Sequence, residues 1–404
     1  MASPRTILVA AALASVGAAE LCKASVDGAG KHTFHVHVDP FSSELGAFKF
    51  LECGDEAMPT LAMERGVTYT FSQEDVTNWF HPMGFGYAPD GAHKDNDELE
   101  PGLSRTNSAC VDAETCQAPR YFNAGVYLGG SYDNSGSVLV GGDDFGLDNY
   151  EPAFFATRAA WAEAGAYTID VTLTDADYAE DLFYFCHIHN SMSGRIKITA
   201  GDEPVNAFDS PPLGYAYDVV SAYDAECGTV GLDAYQSGKG KCSTEFVCLD
   251  GTESSAQQAF AGCLYSMDCA MQSHMKSTVH DTVPIVTFIH QMVPHHQNAV
   301  NMAKALLKTN TMDAENEDDA EMTNILWAMI NEQNYQIHVM RSYLETKGYQ
   351  ATGACATPSD SPSWHKRGDP SKGCPWVAAF VPSRCDRRGA DGVEASAACP
   401  VACP

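Results

Sequence analysis

The sequence has few basic residues. Lys and Arg together number 24 against 53 Asp and Glu in 404 residues, which gives a formal net charge of −29 at pH 7. A chain with this excess of negative charge repels phosphate backbones and anionic lipid headgroups. The composition therefore argues against nucleic-acid binding and against attachment to an anionic membrane surface. It attracts cations in general, without selecting among them.

Long apolar runs are also missing beyond the N-terminus. The first residues, MASPRTILVAAALASVGAAE, combine Arg5, an apolar run over 7–16 and small residues before Glu20. This pattern is typical of a cleavable secretory signal peptide, which we place at residues 1–19. No later segment stays apolar for the ~18 residues that a membrane-spanning helix needs. We therefore expect a mature chain without a membrane span, in a secreted or lumenal, oxidising compartment: extracellular, cell wall or periplasm-like.

The cysteines are odd in number. Fifteen cysteines in an exported chain indicate disulfides, and an odd count leaves one of them over. They fall into even groups once Cys186 is set aside, with four before residue 120, six from Cys227 to Cys355 and four from Cys374 onward. Parity therefore singles out Cys186 as the unpaired thiol, whereas the pairing inside each group stays open.

The spacing of apolar residues divides the chain into a β-rich part and a helical part. Short runs of strand-forming residues between Gly, Asn and Asp turns lie within 20–205 and predict an antiparallel sandwich or barrel. Over 252–350 apolar residues recur at helical spacing, and Gly348 provides a stop signal. Residues 206–251 form a cysteine-containing linker, and 351–404 a linker with a small cysteine-rich tail that depends on its disulfides. The predicted fold class is multidomain α+β.

One short loop carries three metal-ligating side chains. Cys186, His189 and Met192 follow one another at intervals of three, from the end of the predicted strand LFYFCHI to the start of the predicted strand GRIKI. A thiolate, two imidazoles and a weak thioether suit copper that alternates between its two oxidation states. A second imidazole is expected from a distant strand end, and the segment GVTYTFSQEDVTNWFHPMGFGY provides His81. His187 neighbours Cys186 and so points to the opposite strand face, where we expect a polar residue on the outer surface.

These motifs resemble the cupredoxin family, in particular its members with the shortest ligand loop, Cys-x2-His-x2-Met. The resemblance implies an N-terminal cupredoxin-like β-sandwich with a type 1 copper site formed by His81, Cys186, His189 and Met192. A multicopper oxidase would need four His-x-His pairs for its trinuclear centre, and the β-rich part offers only two such spacings. An oxidase built on this chain alone is therefore not expected, although His35 and His37 remain candidates for a weak accessory metal site.

The helical part contains a second set of soft ligands. In FIHQMVPHHQNAVNMAKAL four of them share one helical face at roughly 100° per residue, namely Met292, His295, His296 and Met302. On the last helix His338 lies just before Met340, which shares a face with other methionines. Thioether and imidazole ligands suit Cu(I) or Ag(I). A methionine stripe is also a common form of core packing, so both interpretations stay open here.

This block, together with NEQNYQIHVM further on, resembles the CopM-like family of small secreted or periplasmic helical proteins, whose function is largely unassigned. The resemblance implies a C-terminal ferritin-like four-helix bundle and, as in some members, copper or silver binding. It implicates Met292, His295, His296, Met302 and Met340. His290 and His338 depart from the family pattern and are candidates for additional ligands.

The leading hypothesis is a secreted copper-binding protein that captures, stores or transfers copper, with a type 1 site in the β-rich part and a Cu(I) or Ag(I) site in the helices. One alternative is an electron-transfer cupredoxin or copper oxidoreductase in which the helices are only a scaffold. Another is a structural cell-wall protein. The expected partners are metal ions and a redox or copper-accepting protein, and the tail is a candidate for contact with a cell wall or glycan. A metal-binding or electron-transfer protein is favoured over an enzyme.

Overall fold

The structure is a computed structural model. It describes residues 21–94, 98–99, 119–129, 146–174, 178–242, 247–277, 283–353, 363–379, 383–390, 393–399 and 402–403. The signal peptide expected at 1–19 lies outside these residues. The chain forms two compact units, Met1–Met267 with Ala299–His338, and Asp268–Asn298 with Val339–Pro404.

In the described ranges, the strands all precede residue 205. They are β1 Cys22–Lys23, β2 Ser25–Val26, β3 His32–Asp39, β4 Ala47–Phe50, β5 Leu61–Glu64, β6 Thr68–Ser72, β7 Met83–Gly86, β8 Arg120–Asn123, β9 Val126–Tyr127, β10 Tyr167–Thr172, β11 Leu182–Cys186, β12 Ser193–Ala200 and β13 Glu203–Pro204. The helices are α1 Leu147–Tyr150, α2 Arg158–Ala164, α3 Ala222–Cys227, α4 Ser255–His274, α5 Pro284–Lys308, α6 Glu317–Thr346, α7 Cys374–Ala378 and α8 Ala395–Ala398. The predicted order, a β-rich part followed by a helical part, is confirmed.

The strands form two sheets that share one aromatic core. The first sheet has the order β1-β5-β12-β11-β7 with β13 beside β12, and the second has the order β2-β3-β6-β10-β8-β9 with β4 beside β3. Ring centroids of Phe71 on β6 and Phe85 on β7 lie 4.8 Å apart, and those of Phe50 on β4 and Tyr184 on β11 lie 5.2 Å apart. These contacts join the two sheets across the core.

The prediction of an antiparallel sandwich or barrel is wrong about strand direction, because each sheet also contains at least one parallel pair. β5 runs parallel to β12 in the first sheet, and β3 runs parallel to β6 in the second. Parallel neighbours need long crossover connections. Strand periodicity alone does not reveal such connections, since it reports which residues are buried and not which strand lies alongside.

Strand β11 occupies an interior position between β12 and β7. All five residues of its sequence LFYFC are buried. Tyr184 and Cys186 belong to the core between the sheets, whereas Phe183 points to the opposite face, where the Arg195 guanidinium lies 5.0 Å from its ring centroid. A strand covered on both faces accounts for the continuous apolar run. The same alternation turns the Cys186 thiol towards the core.

The helical part contains three long helices in the described ranges, of 20, 25 and 30 residues. In one unit, Val300 and Ala303 of α5 pack with Leu326 and Ile330 of α6. Helix α5 continues through Pro294 as one element. None of the described helices is long and apolar enough to cross a membrane.

Cys242 and Cys269 are disulfide-bonded, and the described chain also contains the pairs Cys22–Cys53, Cys227–Cys263, Cys374–Cys399 and Cys385–Cys403. The last two close the tail around a small core that contains Trp364 and Val377. Cys186 is a free, buried thiol as expected, but Cys248 is also free and is exposed. The expectation that every other cysteine pairs is therefore wrong, because parity counts thiols whereas pairing requires them to meet in the fold. Cys355, in the same group, lies outside the described residues.

Candidate metal centre

Two imidazoles and one thiol converge at the end of β11. Sγ of Cys186 lies 3.7 Å from Nδ1 of His81 and 3.5 Å from Nδ1 of His189. The donor atoms all lie within 4.8 Å of one another, and no other group of three His, Cys, Asp or Glu does so among the residues that the structure describes. The relative exposure is 1% for His81 and 0% for Cys186 and His189. The structure thus brings together three of the four residues expected to form the first site from positions 105 residues apart.

The spacing of these atoms fits a single bound metal ion. Bonds of about 2.3 Å to sulfur and about 2.0 Å to nitrogen hold the two atoms roughly 3.5–3.8 Å apart, for angles between tetrahedral and trigonal. The observed Sγ–Nδ1 distances of 3.5 and 3.7 Å lie in this range. One thiol and two imidazoles therefore form a preorganised donor set that suits copper or zinc.

The loop after β11 closes on itself. The Cys186 N–H donates to the carbonyl of Met192 at 3.1 Å, and the His189 N–H donates to Sγ of Cys186 at 3.4 Å. Ser191 takes a left-handed backbone with φ +63°, which tightens the turn. Met192 is fully buried in the same apolar cluster as Cys186. The spacing of three residues thus returns the chain to Cys186 within one short turn.

Asp90 holds this loop from outside, and sequence reasoning missed it. Its buried Oδ1 accepts hydrogen bonds from the Ser191 N–H at 3.0 Å, from the Ser193 hydroxyl at 2.7 Å and from the Tyr215 hydroxyl at 3.2 Å. The segment YAPDG around Asp90 reads as an ordinary turn, so it carried no signal of this role.

His81 is positioned by a buried glutamine. Gln73 is 0% exposed; its Nε2 donates to the His81 carbonyl at 2.8 Å, and its Oε1 accepts from the Met83 N–H at 3.0 Å. The His81 N–H donates to the carbonyl of Asn78 at 2.8 Å. The main-chain N–H and the main-chain carbonyl of His81 are therefore both held by hydrogen bonds before any metal binds.

The outer nitrogens of both imidazoles meet one residue of α6. Nε2 of His81 lies 3.2 Å from Oδ1 of Asn331, and Nε2 of His189 lies 3.3 Å from the main-chain oxygen of Asn331. Asn331 is 1% exposed. A helix distant in sequence therefore completes the wall of the candidate metal centre.

Burial determines the protonation of the three groups. It lowers the pKa of His81 to about 4 and lowers that of His189 as well, since a charged imidazole loses its hydration there. Burial also raises the pKa of the Cys186 thiol to about 12. At neutral pH the metal-free site therefore holds two neutral imidazoles and a protonated thiol, so that metal binding must release one proton.

His187 lies on the opposite face of the strand, as predicted, but that face is not an outer surface. Its ring centroid lies 4.9 Å from that of Phe185, and its Nε2 lies 3.7 Å from a carboxylate oxygen of Glu98. A Cβ added to Gly84 would overlap the His187 ring, so the imidazole packs directly against the main chain of Gly84. The expectation of a surface residue is wrong, because Phe185 and Glu98 pack against the His187 ring on this side of the sheet.

The helical candidates occupy several different environments. The rings of His295 and His296 lie 5.8 Å apart, edge to face. Nδ1 of His296 donates to the Met292 carbonyl one turn earlier, at 2.9 Å. His295 is exposed, and Met302 is 40% exposed. These positions are accessible to an ion, and their role as ligands stays a prediction.

The three remaining helical candidates have protein contacts. Nε2 of His290 donates to the carbonyl of Gln350 at 2.9 Å. Met340 packs against the cluster of Val286, Ile289 and Leu344. The ring of His338 lies 5.2 Å from that of His93, a histidine of the β-rich part.

Comparison with known proteins adds one finding. Residues 251–371 match a family model described as a domain of unknown function, DUF305, which covers 121 of the 404 residues and includes the three long helices. No curated protein and no solved structure matches the chain. The helical part therefore resembles a recognised family whose function is unassigned, and the metal centre has to be interpreted from its own chemistry.

Proposed function

We propose that the β-rich part is a cupredoxin-like domain that binds one copper ion in a type 1 site. The ligands are His81, Cys186, His189 and Met192. The proposal is supported above all by the two Sγ–Nδ1 distances, 3.5 and 3.7 Å, in a fully buried group. Bound copper would supply one-electron transfer, because thiolate and imidazole ligands stabilise both Cu(I) and Cu(II).

The surroundings of the ligands favour a redox ion over a structural one. The loop that carries Cys186 and His189 is held by Asp90, and His81 is held by Gln73. A donor set fixed on both sides changes little when the ion gains or loses an electron. Zn²⁺ accepts the same atoms but has no redox chemistry, so the identity of the ion is the decisive test.

The second part of the proposal concerns the helices. Accessible His295 and its neighbour His296 support capture of a soft ion, Cu(I) or Ag(I), by a ferritin-like helical region. The chain then acts as a secreted copper-binding protein that captures, stores or transfers copper. Without this second site, the protein is an electron carrier whose helices serve as a scaffold.

Metal analysis with electron paramagnetic resonance of the protein expressed with copper tests both parts. We expect an intense visible thiolate-to-copper band and the spectrum of a type 1 site. A carrier holds one copper per chain, whereas a store holds several and loses the additional ions in the variant Met292→Leu/His295→Ala/His296→Ala. Absence of the band, with a melting temperature unchanged by copper, would identify a structural protein, because a ligand that binds only the native state must stabilise it.

A further inference from the structure

One face of α6 lies along the metal centre. Trp327, Asn331, Asn334 and His338 follow one another at intervals of four, three and four residues, which places them on one side of a helix. Trp327 belongs to the core of the β-rich part, and its ring centroid lies 5.5 Å from the Arg158 guanidinium. The helix is therefore anchored beside the site by a buried aromatic side chain.

Asn331 can be oriented in only one way. Its Nδ2 lies 3.1 Å from the carbonyl of Trp79, and since a carbonyl only accepts hydrogen bonds, this end of the amide must be the NH2 group. The other end, Oδ1, therefore faces Nε2 of His81 at 3.2 Å. Because Oδ1 only accepts, the proton of the neutral His81 imidazole must sit on Nε2.

The same reasoning applies to His189. Its Nε2 lies 3.3 Å from the main-chain oxygen of Asn331, which can only accept, so the proton again sits on Nε2. In both imidazoles Nδ1 is then the unprotonated nitrogen. These two atoms are the ones that face Sγ of Cys186, at 3.7 and 3.5 Å. A hydrogen bond to the outer nitrogen is the usual way in which a protein selects the ligating nitrogen of a histidine.

A second contact of this face reaches the thiol residue. Nε2 of His93 donates to the carbonyl of Cys186 at 2.8 Å, and the ring of His93 meets that of His338 edge-on, with 5.2 Å between centroids. Helix α6 thus contacts His81 and His189 directly and Cys186 through one intermediary. With α6 in place the imidazole ligands are 0–1% exposed, so neither water nor a chelator has access to them.

We propose that α6 covers the metal centre and that its Asn331 is a positioning residue, which directs Nδ1 of both His81 and His189 to the metal. The ion then enters and leaves only when α6 moves away. This inference rests on the proposed function as far as the ion is concerned. It assigns to the helical part a regulatory role in metal exchange at a site whose ligands all come from the β-rich part.

The test compares two isosteric variants on the same helix face. Asn331→Leu removes the amide that bonds His81. Asn334→Leu makes the same change one turn later, at a buried amide whose nitrogen and oxygen have no hydrogen-bond partner among the described residues. We expect Asn331→Leu to release copper to a chelator about tenfold faster, the usual scale of losing an outer partner of a ligand, and to alter the copper hyperfine splitting. Asn334→Leu should leave both unchanged, and equal effects in the two variants would overturn the proposal.

A measurement on metal-free protein distinguishes a failure of this inference from a failure of the proposed copper function. Nitrogen NMR of histidine-labelled, metal-free protein should show the Nε2–H form of His81 and His189, and Asn331→Leu should shift His81 towards the other tautomer while His189 keeps its main-chain partner. If wild-type protein takes up no copper but shows these tautomers, the copper function fails and the positioning role stands. If the tautomers are Nδ1–H, or unchanged in the variant, the positioning role fails. Asn331→Ser serves as the smaller substitution if the leucine variant does not fold.

Discussion

Oδ1 of Asn331 lies 3.2 Å from Nε2 of His81, across a sequence separation of 250 residues. Together with the contact between Nε2 of His189 and the main-chain oxygen of Asn331, this hydrogen bond links the helical part, which matches a family of unassigned function, to the donor set of the β-rich part. The two segments can therefore not be assigned functions independently. A ligand histidine whose outer nitrogen is held by a helix depends on that helix for its orientation.

The two free thiols offer a matched pair of variants. Cys186→Ala should abolish the visible thiolate-to-copper band, since it removes the only buried free thiol among the described residues. Cys248→Ala, at the exposed free thiol, should leave the band at full intensity. Absorption and copper content after dialysis provide the measurement. If the band survives in Cys186→Ala, it does not arise from the centre described above.

Copper affinity should increase with pH. Because the pKa of the Cys186 thiol is raised to about 12 and that of His81 is lowered to about 4, the metal-free site holds one ligand proton between roughly pH 5 and 9. Binding releases this proton, so the apparent dissociation constant should fall about tenfold per pH unit in this window. Chelator competition at several pH values measures the slope. If the apparent dissociation constant did not change with pH, the thiol would not be a metal ligand. A hundredfold change per pH unit would mean that two protons are released, so that an imidazole is also protonated before binding.

Loosening α6 without touching a ligand should accelerate metal exchange. Trp327→Ala deletes the buried side chain that anchors the helix in the core of the β-rich part, and it should lower the free energy of unfolding by about 3 kcal/mol. We expect copper to leave faster while the electron paramagnetic resonance spectrum stays that of the wild type, because Asn331 is intact in the closed state.

The control for this variant is Trp364→Ala, which removes a buried tryptophan from the tail core. It should destabilise the tail and leave the rate of copper release unchanged. Exchange rates that are equal in Trp327→Ala and in the wild type would contradict a role of α6 in closing the site.

A buried carboxylate near the start of β11 should be important for stability. Asp181 is 0% exposed and forms ion pairs with Arg195 and with Lys197, whose Nζ lies 2.8 Å away. Asp181→Asn leaves both cations without the charge of this partner, and we expect a loss of about 3 kcal/mol in the free energy of unfolding.

The matched variant is Asp202→Asn, whose pair with Lys23 is solvent-exposed; it should unfold at the wild-type denaturant concentration. Urea unfolding of metal-free protein measures both variants. Equal midpoints for Asp181→Asn and the wild type would show that the exposed carboxylate of Asp209, 3.0 Å from Lys197, compensates for the loss.

Local features could be predicted because they depend on neighbours in sequence. The β-formers in LFYFCHI predicted a strand, and the spacing of Cys186, His189 and Met192 predicted a tight loop after it. The three long helices followed from their apolar period in the same way. His187 shows the limit of local prediction. Alternation assigned its strand face correctly, but whether that face meets solvent depended on the contact with Glu98, about ninety residues away in the sequence.

The sequence by itself determined the β-rich and helical parts, the thiol left over by parity and a loop with three donors, since each of these depends on periodicity, counting or short spacing. Only the tertiary structure decided that Asp90 holds this loop and that Asn331 contacts Nε2 of both His81 and His189. Hydrogen bonds between residues 100 to 250 positions apart arise from packing of whole elements, and no local pattern along the chain encodes them.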